Sequence, residues 1–299
     1  MIILITGGTG FIGRELCRAL RKEGHNLTVL SRQPAKVPAL CGEGVVAISN
    51  LDELTSEDRF DAVINLAGEP IFGPRWTAQR KQVLWGSRVS LTEGLVAYIG
   101  AAKHKPSVLI SGSAIGYYGD RGDAIIDESV GCGRDFGASL CSAWERAAQA
   151  AEQHGVRVCL LRTGLVIGRN GGFLQRMLPP FRLGLGGRIG DGRQWMSWVH
   201  IADHVAMTLM LLGSPQLSGP FNVTAPSPVT NLEFTQSLAR ILKRPAILPV
   251  PAVFLRLALG EMAGLLLSSQ RVMSSRIRAA NFKFAFGVLG DALRDVLSD

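Results

Sequence analysis

Three glycines spaced as Gly7-x-x-Gly10-x-x-Gly13 follow directly on the apolar run Ile2 to Thr6 and open a helical stretch that continues through Leu16 and Leu20. At a strand-to-helix junction this spacing permits a tight turn, a close approach of backbone to a pyrophosphate, and close packing of helix on strand. Thr9, Phe11 and Ile12 belong to the same loop and are counted with the glycines as cofactor contacts. A lone glycine motif is weak, but the preceding strand, the N-terminal position and a second strand at the expected distance all agree with it. That second strand ends in Ser31-Arg32. An acidic side chain there would bond the adenosine ribose hydroxyls of NAD and repel an added phosphate, whereas a guanidinium forms charge-assisted bidentate bonds to a 2′-phosphate. NADP(H) is therefore expected over NAD(H), the plain alternative being an arginine on an exposed loop. A third piece, Ala62 to Gly68, reads as a buried strand running through Leu66 into Ala67 and Gly68, small residues that allow close backbone approach to the same cofactor.

Elements that position these residues are legible as apolar runs of strand length alternating with helical stretches: Ile2 to Thr6, Leu27 to Ser31, Val45 to Ser49, Ala62 to Leu66, Val108 to Ser111 and Val158 to Arg162. Continuous apolar runs indicate strands buried on both faces, hence a parallel sheet with helices on each side. The expected fold is α/β, a doubly wound, Rossmann-like sheet with a smaller C-terminal substrate lobe. After Gly168 a Gly/Pro/Arg-rich stretch from Gly171 to Gly192 suits loops and short elements better than another β-α repeat. The expected division is residues 1–167 for the nucleotide-binding domain, with a return to it at about 197–225, and residues 168–299 mainly for the substrate lobe. A further strand at Phe221 to Val223, a helix from about Asn231 to Lys243 and a helical region after Pro251 complete the reading.

At 299 residues the chain can bury a sizeable core without staples. Five scattered cysteines, Cys17, Cys41, Cys132, Cys141 and Cys159, lack metal-ligand spacing, so no metal is expected and a reduced, cytoplasmic setting follows. Met1 to Ile5 has no basic segment before it and no long apolar run, and reads as a strand rather than a signal peptide. The apolar stretch Val250 to Leu267 contains Arg256 and Glu261, which a bilayer span would bury at great cost, so a helix packed on the protein is expected and no membrane partner. A net charge of +8 raises a nucleic-acid partner, but the basic residues are dispersed. Even the densest tract, Arg271 to Arg278, lacks interleaved aromatics and reads as a solvated or partner-facing helix. The expected partner is a small-molecule substrate, with no nucleic acid, and a homodimer stays open.

Taken in order, Thr6 to Gly13, Leu66-Ala67-Gly68, Ser111-Gly112-Ser113 with Tyr118-Gly119, Arg162-Thr163-Gly164 with Gly168, and Gly190-Asp191-Gly192 leading to His200-Ile201-Ala202-Asp203 resemble the extended short-chain dehydrogenase/reductase, or epimerase/dehydratase, group. Within it the chain is most similar to an atypical subfamily called epimerase family protein, sometimes labelled cell-division inhibitor. Its marks are Asn65 to Pro70 (NLAGEP), Arg75-Trp76, Ser87-Arg88, Leu140-Cys141 with Trp144-Glu145, Leu178 to Gly187 (LPPFRLGLGG) and Trp198-Val199-His200. The resemblance implies an oxidoreductase or epimerase acting on a small polar or nucleotide-linked substrate.

It also places Ser113 where the family carries a hydroxyl that bonds the reacting oxygen, with Ser111 on the cofactor side. A Tyr-x-x-x-Lys pair should follow on the next helix. Here Phe136 or Gly137 stands for the tyrosine and Leu140 or Cys141 for the lysine, so the proton carrier must be sought elsewhere. Tyr117 and Tyr118 offer phenols from another direction, Cys141 a thiol acid, and Glu69 a carboxyl group whose plain alternative is an ion pair with Arg75 or Arg88. Arg88 stands where the family carries an active-site asparagine and is a candidate contact to the cofactor phosphates. His200 and Asp203 read as a hydrogen-bonded turn, and Arg182, Arg188 and Arg193 as possible anion ligands or solvated charges. Without the Tyr/Lys pair, a cofactor-binding regulator that senses NADP(H) is the competing reading.

Overall fold

A computed structural model describes residues 1–169 and 171–298. The first half alternates β1 (Ile2–Thr6), α1 (Phe11–Lys22), β2 (Asn26–Leu30), α2 (Val37–Cys41), β3 (Val46–Ile48), β4 (Ala62–Asn65), α3 (Ala78–Trp85), α4 (Leu91–Ala101) and β5 (Val108–Ala114). There follow β6 (Ile125–Ile126), α5 (Phe136–Gln149), β7 (Arg157–Thr163), β8 (Leu165–Gly168), α6 (Gly172–Arg182), β9 (Trp195–Met196), β10 (Trp198–His200), α7 (Ile201–Gly213) and β11 (Gly219–Val223). The C-terminal part carries β12 (Val229–Thr230), α8 (Asn231–Leu242), α9 (Ala252–Leu259), α10 (Gly264–Leu267), β13 (Arg271–Val272), α11 (Ser275–Ala279) and α12 (Leu289–Leu297).

Seven parallel strands form the main sheet in the order β11-β7-β5-β4-β1-β2-β3. Alternate residues of each strand feed opposite cores. Ile3 and Ile5 pack with Leu16, Leu20 and Val205 of α1 and α7 on one face, while Leu4 packs with Leu95, Ile99 and Ala148 of α4 and α5 on the other. This is the doubly wound sheet expected from the apolar runs. Because the chain winds outward from β1 in one direction and from β4 in the other, the connections diverge above the carboxyl ends of these neighbours and leave a crevice there.

A second core lies beside the sheet, where Leu174 and Phe181 of α6, Trp198, Phe234 and Leu238 of α8 and Leu293 of α12 pack together. Three details differ from the sequence reading. The Gly171 to Gly192 stretch contains an eleven-residue helix, α6, because Leu174, Leu178 and Phe181 recur at helical spacing toward this core, and Pro179 and Pro180 fall in its last turn. The apolar stretch from Val250 is not one packed helix: Gly260, at φ +60°, breaks it after α9, and α9 has no buried residue. The Arg271 to Arg278 tract is not merely solvated, since Arg271 lies over the Trp195 ring at 4.3 Å and Arg276 over Phe221 at 4.2 Å.

Candidate functional site

The glycine loop sits at the crevice with its backbone closely constrained on the inner side. A Cβ on Gly7, whose φ is +73°, would lie 2.6 Å from the Leu66 carbonyl, and one on Gly13 would lie 2.2 Å from the Gly7 oxygen. Gly10 and Gly68, by contrast, are exposed to the crevice. Gly10 caps α1 with no side-chain hydrogen bond and no acidic residue in the first turn, so the N–H groups that begin the helix lack a side-chain acceptor. That end favours an anion of pyrophosphate size, and the residues present fit a dinucleotide. Phe11 contributes differently. Its ring fills the space a Cβ would take at Gly168, Gly171 and Gly172, and so wedges the start of α1 against the turn leading to α6. Thr9 and Ile12 are half-buried, and Ser31 is buried with its Oγ accepting from the Gln33 N–H at 3.1 Å.

A buried polar chain holds the strand ends beneath this loop. Thr6 donates to Asn65 Oδ1 at 2.6 Å and accepts from the Ala67 N–H at 3.2 Å. Asn65 in turn donates to Thr92 at 2.8 Å and to Ser111 at 3.3 Å, and Trp144 Nε1 donates to Thr92 at 3.0 Å. Ser111 therefore lies inside the sheet, behind the crevice wall rather than on it. Arg88 supports the Leu66-Ala67-Gly68 turn from below: its Nη2 donates to the Glu69 carbonyl at 3.0 Å, and its guanidinium fills the space a Cβ would take at Gly68. Glu69 itself pairs with neither Arg75 nor Arg88. Its carboxylate bridges Arg32 at 3.1 Å and Arg80 at 3.3 Å. Partial burial works to raise the Glu69 pKa, but these two arginines outweigh it and hold the carboxyl below its ordinary range.

Ser113 Oγ donates to Glu145 Oε1 at 2.7 Å. Glu145 projects from the buried face of α5 and receives two bonds of 2.8 Å from Arg162 on β7. Burial alone opposes the Arg162 charge, yet the bonded Glu145 carboxylate more than offsets this and pushes the guanidinium pKa up. Arg162 also donates to the Tyr118 hydroxyl at 3.0 Å and lies 3.6 Å above the Tyr117 ring. Tyr118 is fully buried and donates to Asn222 Oδ1 at 2.6 Å; burial pushes its pKa up to about 12. Tyr117, half-buried, is the phenol nearer the surface. Cys141 is buried on α5, its thiol pushed up to about 12 by burial, which leaves little thiolate at neutral pH.

The crevice thus brings together the glycine loop, Arg32, Glu69 and the Gly68 turn, with Ser113 and Tyr117 at the end of β5 and beyond it. Phe136 begins α5 and packs edge-on to Trp76 at 5.1 Å, and Leu140 is buried, so the positions read as Tyr and Lys carry only packing. His200 caps α7 by accepting from the Ala202 N–H at 3.2 Å, and Asp203 accepts from Ala285 and Phe286 at 2.8 and 2.9 Å. Arg182, Arg188 and Arg193 are exposed. Sequence reasoning quoted Glu145 and Arg162 without a role. A glutamate on the apolar face of a helix and an arginine within an apolar strand were the available signal, since buried charges of opposite sign require each other.

This fold and crevice define a dinucleotide-binding protein of the short-chain dehydrogenase type. Comparison with known sequences narrows the class: residues 3–224 match the model of the NAD dependent epimerase/dehydratase family, and the chain belongs to that family. Residues 250–296 match a second model, a domain of unknown function, DUF1731. The chain is 42% identical to epimerase family protein Mb2239 of Mycobacterium bovis, over 98% of this chain and 96% of that protein. It is 39% identical to the chloroplastic epimerase family protein SDR39U1 homolog of Arabidopsis thaliana, over 99% of this chain and 87% of that one. Among solved structures, human epimerase family protein SDR39U1 (isoform 2), crystallised with NADPH, superposes with a TM-score of 0.89 at 35% identity and covers 99% of both chains. Among the described residues no helix is long and apolar enough to cross a membrane.

Proposed function

We propose that this chain binds NADP(H) across the crevice and acts as an oxidoreductase or epimerase on a small polar or nucleotide-linked substrate. The observation that carries the reading is the pairing of an uncapped α1 N-terminus with Arg32 at the end of β2, an anion site for the pyrophosphate and a cation for the 2′-phosphate. The NADPH in the human relative supports it. When bound, the nicotinamide supplies or accepts a hydride. This chain's part is to orient the substrate and carry its proton. A substrate hydroxyl donating to Ser113 Oγ meets an oxygen whose own proton already points to Glu145, so the Arg162-fixed carboxylate orients Ser113 as an acceptor for that hydroxyl. Tyr117 is the phenol best placed to exchange a proton with the crevice, whereas Tyr118 and Cys141 are held in the interior. Phe136 and Leu140 favour the second reading, an NADP(H)-sensing regulatory protein without turnover, because neither can ionise.

Fluorescence titration tests the cofactor. NADPH is expected to bind more tightly than NADH, and Arg32→Ala to weaken NADPH about ten- to a hundredfold, the loss of a charge-assisted contact worth about 1.5 to 3 kcal/mol. Equal affinity for the two cofactors in the parent overturns the assignment. Screening purified protein over alcohols, ketones and nucleotide-linked sugars, following both nicotinamide absorbance and product, separates enzyme from sensor. Turnover abolished by Ser113→Ala supports the enzyme.

A further inference from the structure

Helix α9, Ala-Val-Phe-Leu-Arg-Leu-Ala-Leu, is apolar on nearly every side, and none of its residues is buried. Phe254 is 63% exposed and Leu257 68%. The surface continues onto the segments beside it, where Ile247 is 79% exposed and Leu183, in the turn that ends α6, is 74% exposed. These pieces are fastened together, with the Leu248 N–H donating to the Gly186 carbonyl at 3.3 Å and the Val250 N–H to that of Arg188 at 2.8 Å. The result is one apolar apex at the tip of the C-terminal lobe. A helix apolar all round is ordinarily buried, so this apex calls for an occupant.

Charge identifies which one. Residues 171–190 and 234–260 contain no aspartate or glutamate. The same segments display Arg182, Arg188, Arg240, Lys243, Arg244 and Arg256, all exposed. Asp191, Glu233 and Glu261 are the acids that flank them in sequence; Glu233 is turned back to cap α8, its Oε2 accepting from the Thr230 N–H at 2.7 Å, and Glu261 is already engaged by Lys81 at 2.6 Å. A second copy of this chain meeting the first through a two-fold axis would set one basic rim against another, which repels. A surface with an apolar interior and an anionic face satisfies both parts of the apex at once. We propose that the tip of the C-terminal lobe docks on an anionic lipid surface, Phe254 and its apolar neighbours entering among the acyl chains while the arginines and Lys243 engage headgroup phosphates.

The absence of a membrane partner expected from the sequence rested on the cost of spanning a bilayer, which would bury Arg256. At an interface Arg256 stays at headgroup level and the cost disappears. Docking would also bring the crevice to the surface, because Arg75, on the loop that follows Glu69, donates its Nε to the Ala258 carbonyl at the end of α9 at 2.7 Å.

Co-sedimentation of the full chain with phosphatidylcholine vesicles, with and without phosphatidylglycerol, tests this. Binding is expected only to the mixed vesicles and should fall as salt is raised. Phe254→Ser should abolish it, and Arg240→Gln and Arg244→Gln should each weaken it about fivefold. These side chains are exposed, and unchanged NADPH titration of the variants would show that they are folded. No pelleting with mixed vesicles overturns the proposal, as does binding that neither the serine nor the glutamine variants reduce. A dimer in sedimentation equilibrium that Phe254→Ser dissolves, without vesicle binding, overturns it in favour of a second copy.

Discussion

Replacing Glu145 with alanine leaves Arg162 in the interior with its Nε and Nη2 donors stripped of the carboxylate, and leaves Ser113 Oγ without its acceptor at 2.7 Å. Arg162 and Glu145 are only 4% and 5% exposed, so bulk solvent does not screen the stranded charge. Removing one partner of such a buried pair costs about 3 to 5 kcal/mol, most of it from the stranded charge rather than the lost attraction. For a chain of this size that is a fall in Tm of roughly 6 to 20 °C. Urea and thermal unfolding of Glu145→Ala would measure it, with exposed Glu152→Ala as the control expected within about 0.5 kcal/mol of the parent. Joining Glu145→Leu to Arg162→Met removes both charges, so the double variant should be more stable than the sum of the two single losses. If Glu145→Ala lies within about 1 kcal/mol of the parent, or the double variant is additive, the pair is not the buried, interdependent unit described.

Tyr118→Phe should destabilise the fold by about 1 to 3 kcal/mol, because Asn222 Oδ1 loses its donor and Arg162 an acceptor in a buried setting, and urea unfolding would show it. Gly10→Val should remove NADPH binding in a folded protein, since Gly10 opens on the crevice and its Cβ would meet only the Gly7 carbonyl, at 3.1 Å, whereas Gly13→Ala should damage the fold itself, its Cβ lying 2.2 Å from that oxygen and 2.7 Å from Gly8; circular dichroism beside NADPH titration separates the two. His204 is fully buried and its pKa is pushed down to about 4 by burial, so the unfolded chain takes up the proton first. Its contribution to stability is therefore whole above about pH 6.5 and is lost as the pH falls toward 4, by about 3 kcal/mol in all. Unfolding curves across that window should be flatter for His204→Gln, and an unchanged slope would contradict the assignment.

The glycine loop and the parallel sheet were legible because both are local rules. Gly7, Gly10 and Gly13 announce a turn by spacing alone, and runs such as Val108 to Ile110 announce a strand buried on both faces. The family followed from the order of such short pieces along the chain. Local pattern could also say that Phe136 and Leu140 carry no proton. It could not say where Glu69 would turn, and the structure gave it to Arg32, just beyond β2, and to Arg80, in the first turn of α3. Nor could it distinguish Tyr117 from Tyr118. Adjacent in sequence, they diverge because a short turn sends one ring beneath Arg162 at the surface of the network and the other inward to Asn222 on β11, more than a hundred residues away. Sequence by itself determined the strands of the main sheet and where the anion-binding turn lies, since these depend on neighbours within a few residues, but not α6 or the break after α9. The partners of Ser113, Glu145 and Arg162, and the exposure of α9, were decided only by the tertiary structure, because desolvation and hydrogen bonding act between groups that the fold, and not the chain, makes adjacent.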